Sequence, residues 1–234
     1  MTNSLTLYGD DFATVARHLP KVDLIYTDPP YPREQAIPCF RALAFWGPQL
    51  LSDRGSLVTL VPHYLLEEVM GFFNGHFAER LKFRWIYCMN QENGPHPRMA
   101  MGVEVLWKPM LHYVKRAYPQ GRGFLRDMVK IPEPQKGMHP WQQSEAWSDY
   151  YVPKLTRPGD MVLDPYMGTG TVGVSAVRHG RNFIGVDSNP DLINEAHDRI
   201  CQELSTTTTA PGASIVIHGQ PGQSESEESM SAAT

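Results

Sequence analysis

The chain has 234 residues, 41% hydrophobic and 20% charged, with a formal net charge of -4, which suits one soluble catalytic-sized domain and excludes a global positive field that would attract polyanions. Three widely separated cysteines, Cys39, Cys88 and Cys201, argue against a disulfide framework, and neither they nor the histidines show metal-ligand spacing, so no metal is expected. The first residues lack the basic and apolar regions of a secretion signal, and the apolar stretches are too short and interrupted to span a bilayer, so a cytoplasmic protein with no membrane association is expected.

Periodicity along the chain alternates between strand and helix, the pattern of an α/β sheet with helices on both faces. Strands are predicted at Leu5 to Gly9, Val22 to Thr27, Gly55 to Val61, Phe83 to Met89, Gly102 to Lys108, Met161 to Asp164 and Asn182 to Asp187. Helices are predicted at Asp11 to His18, Ala36 to Leu51, Tyr64 to Phe73, Glu145 to Leu155, Thr171 to His179 and Pro190 to Glu203. This gives a catalytic domain over residues 1–203 with an irregular region at about 90–138. Residues 204–234 are polar and repetitive, and cannot bury enough apolar area to offset their ordering entropy, so a disordered tail is expected there. Within it, Ser214-Ile215-Val216-Ile217 has the composition to pair as a strand with a partner.

Between Lys108 and Lys136 seven basic residues face two acidic ones, with Tyr113, Tyr118 and Phe124 interleaved. Lys108, Lys115, Arg116, Arg122, Arg126 and Lys130 are therefore candidates for phosphate contact, where neutralised charge supplies sequence-independent affinity. A solvated basic loop would read the same way.

Two strand ends carry the chemistry. Gly168, Gly170 and Gly173 form G-x-G-x-x-G between a strand and a helix, and Asp187 ends the next strand. Such glycines let the backbone approach a ligand, and a carboxylate after the second strand can accept from ribose hydroxyls. Dinucleotide enzymes and methyl-donor enzymes share the pattern, and a close strand-helix crossing needs glycine too. A dinucleotide domain requires further βαβ units after Asp187, where this chain has room for one helix only, so the missing strands must come from the N-terminal half.

That half brings Asp28-Pro29-Pro30-Tyr31 at the end of an apolar, β-branched run. An exocyclic amino group is a poor nucleophile because its lone pair is delocalised into the ring. The Asp28 carboxylate and a carbonyl near Pro29 can bind its two hydrogens and localise the pair, so catalysis becomes positioning plus electrostatic complementarity. Pro29 and Pro30 stiffen the turn, and Tyr31 offers a stacking ring for an extruded base, worth roughly 1–3 kcal/mol. Prolines also simply terminate strands. In an open sheet, ligands gather at the carboxyl ends of strands near the switch in strand order, so both elements should face one crevice.

Asp28-Pro29-Pro30-Tyr31 and Asp164-Pro165-Tyr166-Met167-Gly168-Thr169-Gly170-Thr171 resemble the catalytic and cofactor motifs of the amino-methyltransferases that modify adenine N6 or cytosine N4 in DNA. The order, catalytic motif first, is similar to that of the circularly permuted β group. The resemblance implies a Rossmann-like sheet, S-adenosyl-L-methionine as cofactor, and double-stranded DNA with a flipped-out base as substrate. It also implies cofactor contacts from Asp10, Asp28, His139, Gln142, Asp164, Pro165, Tyr166, Gly168, Thr169, Gly170, Thr171 and Asp187. His139-Pro140-Trp141-Gln142-Gln143-Ser144 is similar to the family's His-Pro-Thr-Gln-Lys-Pro segment, with Trp141, Gln143 and Ser144 departing from it. A first Asp rather than Ser in the tetrapeptide favours adenine. The short region at 90–138 stands where the family has a target-recognition domain, and relatives that pair make a homodimer part of the expectation. Alternatives are cytosine N4 or RNA as substrate, a methyltransferase-like binding subunit that needs a partner, and a nicotinamide-dependent oxidoreductase.

Overall fold

The computed structural model describes residues 4–74, 81–90, 102–116, 123–129, 145–207, 214–218 and 226–229. They form one ten-stranded sheet with six α-helices. In chain order the elements are β1 Ser4–Tyr8, α1 Phe12–Val15, β2 Val22–Thr27, α2 Arg33–Leu50, β3 Leu51–Leu60, α3 Leu66–Asn74, β4 Lys82–Asn90 and β5 Trp107–Val114. They continue as β6 Met128–Val129, α4 Ala146–Leu155, β7 Met161–Asp164, α5 Thr171–Arg178, β8 Asn182–Val186, α6 Pro190–Thr207, β9 Ser214–His218 and β10 Ser226–Ser229.

The strand order is β10-β9-β1-β8-β7-β2-β3-β5-β4-β6. From β9 through β3 every neighbouring pair is parallel, whereas β5 runs antiparallel to both β3 and β4. Because β7 leads outward through β8 to β1 and β2 leads the other way to β3, the switch in strand order falls between β7 and β2. Each central strand feeds alternate side chains to two cores. On one face Leu24 and Tyr26 pack with Trp147, Tyr151, Val174 and Ile193 from α4, α5 and α6. On the other, Val22 and Ile25 pack with Phe12, Phe40, Leu43 and Phe73 from α1, α2 and α3.

Three expectations from the sequence are corrected. The strand predicted at Gly102 to Lys108 lies further on, at Trp107–Val114. Pro109 reads as a strand breaker, yet here its carbonyl accepts from the Val61 N–H, so its missing donor costs nothing on that side. The strand also places Lys108 near one end of β5 and Lys115 just beyond the other, which splits the expected basic surface. Finally, the residues after 203 are not all tail. Helix α6 runs on to Thr207, and β9 pairs in parallel with β1, from Ser4 with Ser214 to Tyr8 with His218. The apolar run finds its partner within its own chain: Ile215 is 4% exposed and joins the core that holds Leu5.

Candidate functional site

The strand ends on either side of the switch are tied together. Thr27 is fully buried at the end of β2, and its hydroxyl donates to Asp164 Oδ1 at the end of β7 over 2.7 Å. Asp164, 3% exposed, also accepts the Tyr166 N–H at 3.2 Å. Burial lifts its carboxyl from the ordinary 3.8 to about 7; the bonds from Thr27 and Tyr166 oppose the rise, while the charges of Asp28 and Asp187 add to it.

One residue beyond Thr27 the tetrapeptide begins. The Tyr31 hydroxyl donates to Asp28 Oδ1 at 2.9 Å, fixing the rotation of that carboxylate. Lys108 Nζ, from the start of β5, sits 4.3 Å from the centre of the Tyr31 ring. Desolvation raises the Asp28 carboxyl above the ordinary carboxylate range, with Lys108 and the Tyr31 hydroxyl pulling it back down. The Tyr64 hydroxyl, in the turn after β3, donates to the Tyr31 carbonyl and so braces the loop from its far side. His63 and Trp107 meet edge to face beside it, 4.8 Å between centroids. The ends of β2 and β3 and the start of β5 thus build one aromatic, cationic rim around Asp28.

On the other side of the switch the glycine loop follows β7. The Gly168 N–H donates to Asp187 Oδ2 at 2.9 Å, while Asp187 Oδ1 accepts from Asn189 N–H at 2.9 Å. The glycines differ in what they do. Gly170 has φ +78°, and a Cβ there would lie 2.8 Å from the Ala196 Cβ; one on Gly173 would lie 2.6 Å from Ile200 Cδ1. Both serve the close approach of α5 to α6. Gly168 has φ +51°, and a Cβ there meets nothing within 4 Å, so its face opens onto free space. Asp10 is exposed just past β1, whose Tyr8 carbonyl accepts the Asp187 N–H at 3.1 Å. An open glycine face, an acid at the next strand end and a second acid beside it fit a nucleoside with a ribose, the shape of S-adenosylmethionine.

The DNA methylase family of N6/N4 type is matched by residues 68–198, more than half of the chain. The chain belongs to this family. The match takes in the glycine loop and starts after the tetrapeptide, so the loop rests on family and geometry while the tetrapeptide rests on geometry and its own motif. Among curated relatives, the Type II methyltransferase M2.DpnII of Streptococcus pneumoniae is 38% identical over 79 residues, which is 34% of this chain and 30% of that protein. M2.LlaDCHI of Lactococcus lactis subsp. cremoris is 38% identical over 73 residues, 31% of this chain and 27% of that protein. The alignments therefore span under a third of either relative.

The M1.HpyAVI–SAM complex superposes with TM-score 0.67 at 24% identity, covering 84% of this chain and 98% of that one. The PvuII DNA methyltransferase, cytosine-N4-specific, superposes with TM-score 0.70 at 16% identity, covering 85% and 87%. TTHA0409 of Thermus thermophilus, a putative DNA modification methylase complexed with S-adenosyl-L-methionine, gives TM-score 0.68 at 19% identity, covering 92% and 99%. These likenesses show a shared fold.

In this family member the residues singled out from the sequence divide in three. Asp28, Pro29, Pro30, Tyr31, Asp164, Pro165, Gly168, Asp187 and Asp10 cluster at the carboxyl ends of adjacent strands, joined by Lys108 alone among the basic candidates whose side chain is placed there. Tyr166 instead turns toward α2, donating to the Cys39 carbonyl at 3.2 Å with its ring edge-on to Phe12. Lys115 and Arg116 lie at the opposite end of β5, roughly 24 Å away at strand rise. There Lys115 Nζ donates to the Leu51 carbonyl at 2.6 Å, and Arg116 pairs with Asp53 at 3.2 Å. Arg126 is exposed, its N–H and carbonyl bonded to the hydroxyls of Tyr150 and Tyr151 at 2.8 and 2.9 Å. Arg122, Lys130, His139 and Gln142 lie outside the described residues.

Sequence reasoning missed Arg199. It reaches from α6 to Thr169 and Thr171, both expected on the cofactor side. The signal was available: Ile193, Ala196, Ile200 and Leu204 form the buried stripe of α6, and Arg199 is a cation three residues on from Ala196, at its margin.

Proposed function

We propose that this protein transfers a methyl group from S-adenosylmethionine to the N6 amino group of an adenine flipped out of duplex DNA. The observation that supports the reading is the hydrogen bond between Thr27 and Asp164, which ties the strand end before Asp28 to the strand end before the Gly168 loop. When bound, S-adenosylmethionine supplies a methyl carbon on a positively charged sulfur, open to in-line displacement. Gly168 offers it an unobstructed backbone face, with Asp187 and Asp10 poised for its ribose and adenine ends.

The work of the chain is to present the amine. Asp28 and the Pro29 carbonyl accept its two hydrogens, which raises lone-pair density on the nitrogen facing the donor. The Tyr31 hydroxyl holds the carboxylate in register, and Pro29 and Pro30 keep the turn from relaxing. The base stacks on the aromatic rim while Lys108 braces the Tyr31 ring and opposes the upward pull of burial on the Asp28 carboxyl. After transfer the nitrogen is cationic and acidic, and its surplus proton passes to Asp28 and on to water. Loss of that proton needs no strong base.

Incubation with unmethylated DNA and labelled methyl donor, followed by digestion to nucleosides, is the test. Label in N6-methyladenine is the expected result, and Asp28→Ala should abolish it. Label in N4-methylcytosine would move the base assignment and keep the chemistry. No label in any base, with cofactor bound normally, would overturn the substrate.

A further inference from the structure

We propose that Arg199 is a positioning residue that sets the cofactor loop, by locking it to the segment that enters α4. The inference rests on the methyl-donor reading of the Gly168 loop. Thr169 stands between two glycines of positive φ, +51° at Gly168 and +78° at Gly170, the residues with the widest choice of backbone conformation. A loop so composed needs an external constraint to present a single shape. Arg199 supplies it: Nη1 donates to the Thr169 carbonyl at 2.5 Å, to Thr169 Oγ1 at 2.9 Å and to Thr171 Oγ1 at 3.4 Å.

The other arm of the guanidinium, Nη2, donates to Glu145 Oε1 at 2.9 Å. Glu145 Oε2 accepts in turn from Arg178 Nη2 at 3.0 Å, and Arg178 goes on to Glu203 and Asp149 at 2.7 and 2.6 Å. Glu145 is therefore shared between two guanidiniums, one that holds the loop and one that binds carboxylates on α4, α6 and the residue before α4. The side chains of Arg199 and Glu145 are only 17% and 24% exposed, so this pair is shielded far more than a surface ion pair. Arg178, 32% exposed, shares the network but not the loop. It is the built-in control.

The experiment compares Arg199→Met, Arg199→Lys and Arg178→Met in the full chain, reading S-adenosylmethionine affinity by calorimetry, thermal stability, and hydrogen exchange at the Gly168 to Thr171 amides. Both methionine variants should lose stability. Only Arg199→Met should weaken cofactor affinity, by about tenfold, the loss of a charge-assisted bond pair, and only it should speed exchange in the loop. Arg199→Lys, which keeps one donor on the Thr169 carbonyl, should recover part of both and covers the case in which Arg199→Met does not fold. Wild-type affinity and loop exchange in the Arg199 variants, or equal weakening by Arg178→Met, would overturn the assignment. Failure of the wild-type protein to bind S-adenosylmethionine would sink the methyl-donor reading instead, and loop exchange would still judge Arg199.

Discussion

Replacing Asp164 by Asn should remove a loss of stability that accompanies rising pH. The carboxyl is buried against Thr27 and near two other acids, and its folded-state value of about 7 lies well above the 3.8 of an exposed aspartate. Between those values the folded protein holds a proton that the unfolded chain releases. Stability contributed by this group is therefore full below about pH 4 and is lost as pH rises through 7. At 1.36 kcal/mol for each tenfold step, the difference between 3.8 and about 7 amounts to roughly 4 kcal/mol at full development. Asn keeps the Oδ1 acceptor for the Thr27 hydroxyl and the Tyr166 N–H, at 2.7 and 3.2 Å, while removing the ionisation. Urea unfolding of the cofactor-free protein across that range should show wild-type stability sagging relative to Asp164→Asn as pH rises. Parallel curves for the two proteins would refute the claim that burial governs this carboxyl.

Other perturbations follow from the same geometry. Lys108→Met removes the charge that pulls Asp28 downward, so the acid limb of kcat/KM should move to higher pH; an unmoved limb would detach Lys108 from Asp28. Gly168→Ala faces open space and should cost about 1 kcal/mol of stability from its backbone conformation while weakening cofactor binding more visibly. Gly170→Ala must also push against Ala196 at 2.8 Å, so a larger drop in melting temperature is expected than for Gly168→Ala. Removing residues 208–234 deletes β9 and uncovers the site of Ile215, a loss of roughly 2 kcal/mol or more in denaturant titration; unchanged stability would mean that β9 adds nothing to the sheet in solution.

Where the sequence was legible, local and global signals agreed. β2 and β7 are apolar runs closed by Asp-Pro, and that stop places their carboxylates at the sheet edge. β5 was displaced because Pro109 sits inside a buried run and masks it; only the partner strand shows that its lone acceptor is the group in use. β9 was hidden by composition, since four apolar-rich residues in a polar tract carry no sign of which edge will receive them. For the basic stripe, linear spacing cannot tell that a strand carries Lys108 to the end beside Tyr31 and Lys115 to the opposite end. Arg199 showed in the sequence only as a cation at the margin of the buried stripe of α6; its partners come from two other stretches of chain, the glycine loop and the start of α4.

The sheet order has a consequence for synthesis on the ribosome. Thr27 and its partner Asp164 are 137 residues apart, so translation takes roughly 7 to 27 s to bring the second after the first. Throughout that interval β2 has one edge without its neighbour, and β1 waits longer still for β8 and β9 to flank it. The nascent polypeptide thus exposes its Val22–Thr27 ribbon, rich in large side chains, until the second half arrives. Chaperone demand during translation, and yield in cells depleted of trigger-type holdases, should be governed by that delay rather than by the stability of the finished protein.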